Sequence, residues 1–394
     1  MTESLATSVT IHWDEGGQSR QALWRSENGI RPHRKVVVAD DTLTADAAYR
    51  MACEGTAILW RGDFQNARQL LQALARRVDK PSKKSKRTGK SESKATESLR
   101  DAFNLHRLSQ SQRARILGML LIQCDADHSI SLRRAPVVNQ ACTEAYGLVS
   151  EPYVVSLREL LGVISAHEWR KNGVPILARG DEPICVHPHY GVFSPIRGEY
   201  IQLVCNTPLP KVMADQSLAF DIGVGTGALS VVLAMRDVQK IIATDVDDRA
   251  LACAQENIER LDISSQVEIQ KTDLFPQGKA ALIVCNPPWL PARPSSSLEH
   301  AIYDPESRML KGFLAGLSEH LLPHGEGWLI LSDLAEHLGL RSREELLAWI
   351  AQANLRVLGR EEVRPQHHKA FDKTDALYLA RSAERTSLWR LAAQ

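Results

Sequence analysis

Asn286-Pro287-Pro288-Trp289 is the stretch of this sequence whose residue types are best suited to chemistry. It follows the apolar run Ala280 to Cys285, which reads as a buried strand. Two prolines cannot continue a ladder, so the strand stops there. The strand end then carries an amide side chain, a stiff backbone and a large aromatic face. That set suits a planar group bearing an NH2. Asn286 Oδ1 can accept one N–H and the Pro287 carbonyl the other, while Trp289 offers a face on which a flat substrate can stack. Drawing on both hydrogens takes the nitrogen lone pair out of conjugation. A poor nucleophile thereby becomes competent without a formal base.

Upstream stands Asp221-Ile222-Gly223-Val224-Gly225-Thr226-Gly227, between the strand-like run 217–220 and the helical run 228–234. A strand, a glycine turn and a helix N-terminus make the first unit of a nucleotide-binding α/β fold. The next strand, Lys240 to Thr244, ends in Asp245, whose carboxylate suits a ribose diol. A third strand near 267–270 leads to Asp273, placed to meet an adenine amine. A glycine-rich turn alone is a weak signal, shared with dinucleotide sites and tight turns. A Pro-Pro pair after a strand can simply begin a loop. Their order, spacing and strand context together are specific.

On these motifs the chain resembles the class I S-adenosylmethionine-dependent methyltransferases, in the group with an Asn-Pro-Pro-aromatic motif. That group includes rRNA adenine and guanine N-methyltransferases and the glutamine methyltransferases of release factors. The segment Asp245 to Asn257 also fits, with an acidic residue, Ala250-Leu251, Ala254 and Asn257. The resemblance covers roughly residues 190–380. It implies a Rossmann-like seven-stranded sheet with helices on both faces and S-adenosylmethionine as cofactor. It implies that Asp221 and the turn Gly223, Gly225, Thr226 and Gly227 hold the amino-acid end of the cofactor. Asp245 with Val246 would bind the ribose, Asp273 with Leu274 the adenine, and Asn286, Pro287, Pro288 and Trp289 would present the acceptor. A loop before the first core strand covers the methionine end in such enzymes; here Phe193, Pro195 and Arg197 fall in that place. The glutamine-methyltransferase version carries Pro-Arg-Pro-Glu-Thr-Glu there, whereas this chain has Pro195-Ile196-Arg197-Gly198-Glu199-Tyr200. That departure weighs against a release-factor substrate and weakens the carry-over at Arg197.

The 394 residues, 44% of them hydrophobic, allow two domains and a large core. Seven scattered cysteines form no CxxC pair and read as small apolar residues in a reducing cytoplasm. The Met1-Thr2-Glu3-Ser4 start lacks the regions of a signal peptide, and no apolar run reaches membrane-spanning length. The net charge of +1 hides an asymmetry. Residues 1–179 carry 27 Lys and Arg against 19 Asp and Glu, a net +8, and residues 180–394 carry 21 against 28, a net −7. A basic half suggests a polyanionic partner.

Along the chain, residues 1–79 read as an accessory α/β region, with strands at 35–38 and 56–60 and helices at 43–53 and 66–78. Residues 80–95 read as a basic linker able to lie along phosphates. Residues 96–180 read as a helical accessory region, with helices over 96–123 and 151–165, and residues 181–394 as the methyltransferase domain. Within the last, Leu290 to Glu306 reads as a substrate-facing flap, 308–322 as a helix, 327–331 as the fifth strand, 341–353 as a helix and 376–380 as the last strand. Trp328 reads as core, and His367-His368 as a loop pair with no third ligand to make a metal site. Asp304 and Asp333 could face the cleft, with nothing to identify either as a base. Three functions follow: an N-methyltransferase acting on an exocyclic amine of an RNA base, with rRNA favoured; a protein glutamine N-methyltransferase; and a non-catalytic module that binds the cofactor and docks on RNA or protein. A small-molecule acceptor stays open.

Overall fold

Residues 10–25 make the first turn-back of the chain. Strands β1 (Thr10–Glu15) and β2 (Gln18–Arg25) pair antiparallel across Gly16-Gly17, both at positive φ. A two-residue hairpin turn demands that conformation. There follow β3 (Val36–Ala39), α1 (Ala45–Cys53), β4 (Ala57–Trp60) and α2 (Phe64–Val78), within two residues of the expected elements. Asp63 caps α2, accepting a hydrogen bond from the Gln65 N–H at 2.8 Å. The structure, a computed structural model, describes residues 9–80, 99–195, 198–294, 298–365 and 371–394. All of the basic linker but Lys80 lies outside them.

Two helical expectations need correction. Residues 96–123 are not one helix: α3 (Leu99–Leu117) stops before Gly118, and Leu120–Cys124 is strand β5. The apolar run 119–122 serves either element by pattern, and pairing of Ile58-Leu59 with Leu120-Leu121 decides for the strand. After α4 (Asn139–Tyr146), residues 151–165 begin with strand β6 (Tyr153–Ser156), and only then comes α5 (Leu157–Asn172). Pro152 therefore precedes a strand and not a first helical turn. The six strands form one sheet in the order β1-β2-β6-β5-β4-β3. Because β5 and β6 share it with β1 to β4, residues 1–79 and 96–180 are not separate regions; one compact unit runs to Glu168, apart from residues 98–103. A cavity of about 550 Å³ opens at the carboxyl end of β3, lined in part by Asp40, Thr42, Thr44 and Arg61.

The second unit begins with a hairpin of β7 (Val174–Arg179) and β8 (Glu182–Val186), then α6 (Glu199–Asn206). Alternation follows: β9 (Leu218–Ile222), α7 (Ala228–Met235), β10 (Lys240–Asp245), α8 (Asp248–Arg260), β11 (Val267–Lys271) and β12 (Ala280–Cys285). The chain continues through α9 (Arg308–His320), β13 (Leu321–Ser332), α10 (Leu334–His337), α11 (Arg343–Gln352), β14 (Leu355–Val363), α12 (Tyr378–Ala383) and β15 (Thr386–Ala393). Seven strands order as β11-β10-β9-β12-β13-β15-β14. The first five run parallel, and β15 is antiparallel to both neighbours.

Residues along β9 and β12 alternate between two buried clusters. Ala219, Leu282 and Val284 join Val231, Val232 and Ile258 from α7 and α8. Phe220, Ile222 and Ile283 join Leu310, Phe313, Leu346 and Ile350 from α9 and α11. Strands covered on both sides are what a parallel sheet with crossover helices requires, and each such Leu, Ile or Phe contributes about 1.5–3 kcal/mol by burial. Trp328 is core, as expected, fully buried with its N–H on Glu326 at 3.0 Å. The last strand is not at 376–380. Asp375 Oδ1 accepts from the Leu377 N–H at 2.8 Å in a turn, and α12 begins at Tyr378. The closing hairpin is β14 and β15.

Candidate active site at the carboxyl edge of the sheet

Strand β9 is the switch point of the second sheet: β10 and β12 leave from its two sides. In open α/β sheets ligands bind at that point, outside the carboxyl ends of the strands. Register places the candidate residues there. Thr244, Ile222 and Cys285 lie abreast on β10, β9 and β12. One residue further along each strand stand Asp245, Gly223 and Asn286. The strand spacing sets the two outer residues roughly 10 Å apart.

The glycine turn is held from β10. The Gly223 and Val224 N–H groups both donate to the Thr244 carbonyl at 2.9 Å, and Gly225 N–H donates to Asp245 Oδ2 at 3.1 Å. Gly223, Gly225 and Gly227 all have positive φ. A Cβ at Gly223 would also lie 2.7 Å from Met309 Cε, the movable end of a side chain. The other Asp245 oxygen accepts from the Val246 and Asp247 N–H groups at 2.8 and 3.0 Å. A carboxylate has about four acceptor positions, so Asp245 keeps one open without disturbing the turn. Burial raises its pKa despite these bonds. Val246, beside it, is 58% exposed.

Asp221 is buried. Its Oδ2 accepts from Ser230 Oγ at 2.6 Å, and its Oδ1 has no partner among the described residues. Burial pushes its pKa up to about 7, with the Asp245 charge adding to the rise and Ser230 opposing it. A buried acceptor lacking a donor is costly, and a cationic ligand group with N–H donors would satisfy it. The orphaned oxygen and the open glycine turn thus fit the amino-acid end of S-adenosylmethionine.

Asp273 is exposed and paired with Arg308 at 2.5 Å. Leu274 has positive φ, and its carbonyl accepts from Thr244 Oγ1 at 2.6 Å. Asn286 is half-exposed and not sunk in the core. Pro287 is buried. Pro288 and Trp289 are half-buried, and the Trp289 N–H donates to Asn286 Oδ1 at 2.9 Å. That bond was not foreseen; it occupies one of the two lone pairs of Asn286 Oδ1 and leaves the other.

Phe193 is half-buried and Pro195 buried on the segment that precedes α6; Arg197 lies outside the described residues, as do His367 and His368. This segment is tied to the glycine turn by Asn257, the last residue of the motif that runs from Asp245. Its buried side chain donates to the Thr226 carbonyl at 3.0 Å and accepts from the His187 N–H at 2.7 Å. Two further residues were missed. Ser230 lies in an apolar helix run as the lone hydroxyl facing Asp221. Met309 covers Gly223, and no sequence signal marks it. Asp304 and Asp333 prove structural: Asp304 accepts from the Met309 and Leu310 N–H groups at the start of α9, and Asp333 from the Arg385 N–H. Among the described residues no group of three or more His, Cys, Asp or Glu can hold a metal, and no helix is long and apolar enough to cross a membrane.

The sheet order and the glycine turn with its acidic partners give the second unit the fold of a class I S-adenosylmethionine-dependent methyltransferase domain. The family model for "Ribosomal protein L11 methyltransferase (PrmA)" matches residues 203–288, from within α6 through Pro288. The ribosomal protein L11 methyltransferase of Alkaliphilus metalliredigens is 28% identical over 191 residues, 44% of this chain and 59% of the relative. A release factor glutamine methyltransferase from Cereibacter sphaeroides is 37% identical over 110 residues, 27% of this chain and 36% of that protein. A tRNA1(Val) (adenine(37)-N6)-methyltransferase from Shewanella halifaxensis is 32% identical over 130 residues, 31% of this chain and 52% of that protein. The chain thus spans less than two-thirds of the length of each of these relatives.

Proposed function

We propose that this chain is an S-adenosylmethionine-dependent N-methyltransferase whose acceptor is a planar group bearing an NH2. The observation that carries the reading is the register that sets Asn286 beside Gly223, at the switch point of the sheet. S-adenosylmethionine supplies an electrophilic methyl group on a sulfonium. Displacement needs nitrogen, carbon and sulfur in line, so the work of the protein is positioning, worth about 7–11 kcal/mol. Asp221 and the turn from Gly223 to Gly227 hold the amino-acid end of the cofactor. Asp245 and Val246 hold the ribose, and Asp273 with Leu274 the adenine side. Asn286 Oδ1 and the Pro287 carbonyl would receive the two acceptor N–H groups; the nitrogen would take the methyl as the C–S bond breaks, the sulfonium leaving as a neutral thioether, and would release one proton to solvent.

The finer reading is an exocyclic amine of an RNA base, with rRNA the favoured source. The net charge of +8 in residues 1–179 supports a polyanionic partner. A paired base would first have to leave its stack. Cytoplasmic location is part of this proposal. A glutamine amide is the second reading, favoured by the L11 and release-factor names among the relatives.

The test is methyl-labelled cofactor in an extract from cells lacking this protein, sorted into RNA and protein. Label in RNA supports the first reading, and label in a trypsin-sensitive fraction the second. Absence of label with cofactor still bound leaves a docking module. Asn286→Ala should keep the cofactor Kd within about twofold and lower the transfer rate about 100- to 1,000-fold, the scale for losing a directed polar contact. Full rate in that variant would remove Asn286 from the mechanism.

A further inference from the structure

The hydrogen bond between Trp289 and Asn286 gives the aromatic residue a second task. An indole nitrogen is a donor only. The atom it meets at 2.9 Å is therefore the amide oxygen, and the Asn286 NH2 group points the other way. The indole itself is not free to swing, because it packs against the buried clusters on both faces of the sheet. A primary amide turned by half a revolution exchanges its acceptor for its donors. In the reversed state Asn286 would set its own NH2 against the NH2 of the acceptor. Phe in place of Trp289 would keep a flat ring and most of the packing but has no N–H.

We propose that Trp289 is a positioning residue: its N–H holds one lone pair of Asn286 Oδ1 and so presents the other to the acceptor nitrogen. The inference rests on the N-methyltransferase reading and divides the aromatic side chain by function. The ring face acts on acceptor binding, and the ring N–H acts on the rate. A carboxylate in place of the amide has two equivalent oxygens and needs no such orientation.

The experiment uses the full chain, methyl-labelled S-adenosylmethionine and whichever extract fraction, RNA or protein, the wild type labels. Trp289→Phe should lower kcat about tenfold, with KM for the cofactor unchanged and KM for the acceptor within about twofold. In an Asn286→Asp background the same change should cost less than about twofold. An intact kcat with a raised acceptor KM would make Trp289 a stacking platform only. Equal losses in both backgrounds would reduce it to a packing residue. Either result overturns the proposal. A third measurement needs no acceptor: the Trp289 indole N–H should exchange slowly in the wild type and lose protection in Asn286→Ala. Unchanged exchange would mean that the bond is absent, and the proposal falls. A wild type that labels neither fraction sinks the N-methyltransferase reading itself, and the exchange result distinguishes that failure from this one.

Discussion

Asp221 joins burial to charge in one residue. Its folded-state pKa of about 7 lies well above its ordinary 3.8, chiefly through burial. The sign follows from proton counting. Between about pH 4 and pH 7 the folded carboxyl keeps a proton that the unfolded one has lost, so stability of the cofactor-free protein falls as pH rises through that window. An ammonium group bound beside Asp221 would favour the carboxylate instead. Cofactor affinity should therefore rise as pH passes about 7 and level off above it, with release of up to one proton on binding below that pH. Calorimetry in two buffers of different ionisation enthalpy measures the proton. Asp221→Asn should flatten both profiles; a proton release that survives the substitution would assign it to another group.

At the level of elements, the turn between β9 and α7 shows which of two effects dominates. Gly223 has φ of 80°, and a Cβ there would also meet Met309 Cε at 2.7 Å. The Met309 methyl is the end of a flexible chain and can move, whereas a non-glycine residue held at positive φ costs about 1–2 kcal/mol. Gly223→Ala should therefore destabilise by about that amount. Placing it in a Met309→Ala background should recover less than about 0.5 kcal/mol, within ordinary non-additivity. Denaturant titration of the four proteins tests this, and full recovery would make the methionine contact the dominant cost. This turn was legible because glycine spacing reports backbone conformation directly, and the Asn-Pro-Pro end of β12 was legible because proline ends a ladder. The chain gave less help where pairing decides. The runs at 120–124 and 153–156 became strands through partners far away in sequence, and Ala376 to Ala380 has residues that suit either element. The partners of the site were hidden for a related reason: Ser230, Asn257 and Met309 act across elements, and only Asn257 falls in a recognisable motif.

On the scale of the whole chain, the charge division is a property of the sequence that neither motif explains. Six of the eleven residues from Lys80 to Lys90 are basic. If this stretch lies along phosphates, each contact releases counterions, and the logarithm of the binding constant falls with the logarithm of salt by about 0.7 per contact on single strands. Replacing Lys83, Lys84, Lys86 and Arg87 with Gln should then lower that slope by about 3. Cofactor affinity should not change, because those side chains lie far in sequence from the glycine turn and Asn286. Filter binding to RNA from 50 to 300 mM salt (roughly the range in which such slopes are steep), alongside cofactor titration, separates the two effects. An unchanged slope with intact RNA labelling would move RNA recognition to other basic side chains of residues 1–179. An unchanged slope with label only in protein would instead favour the glutamine amide, an acceptor whose recognition by Asn286 and Pro287 requires no phosphate contact.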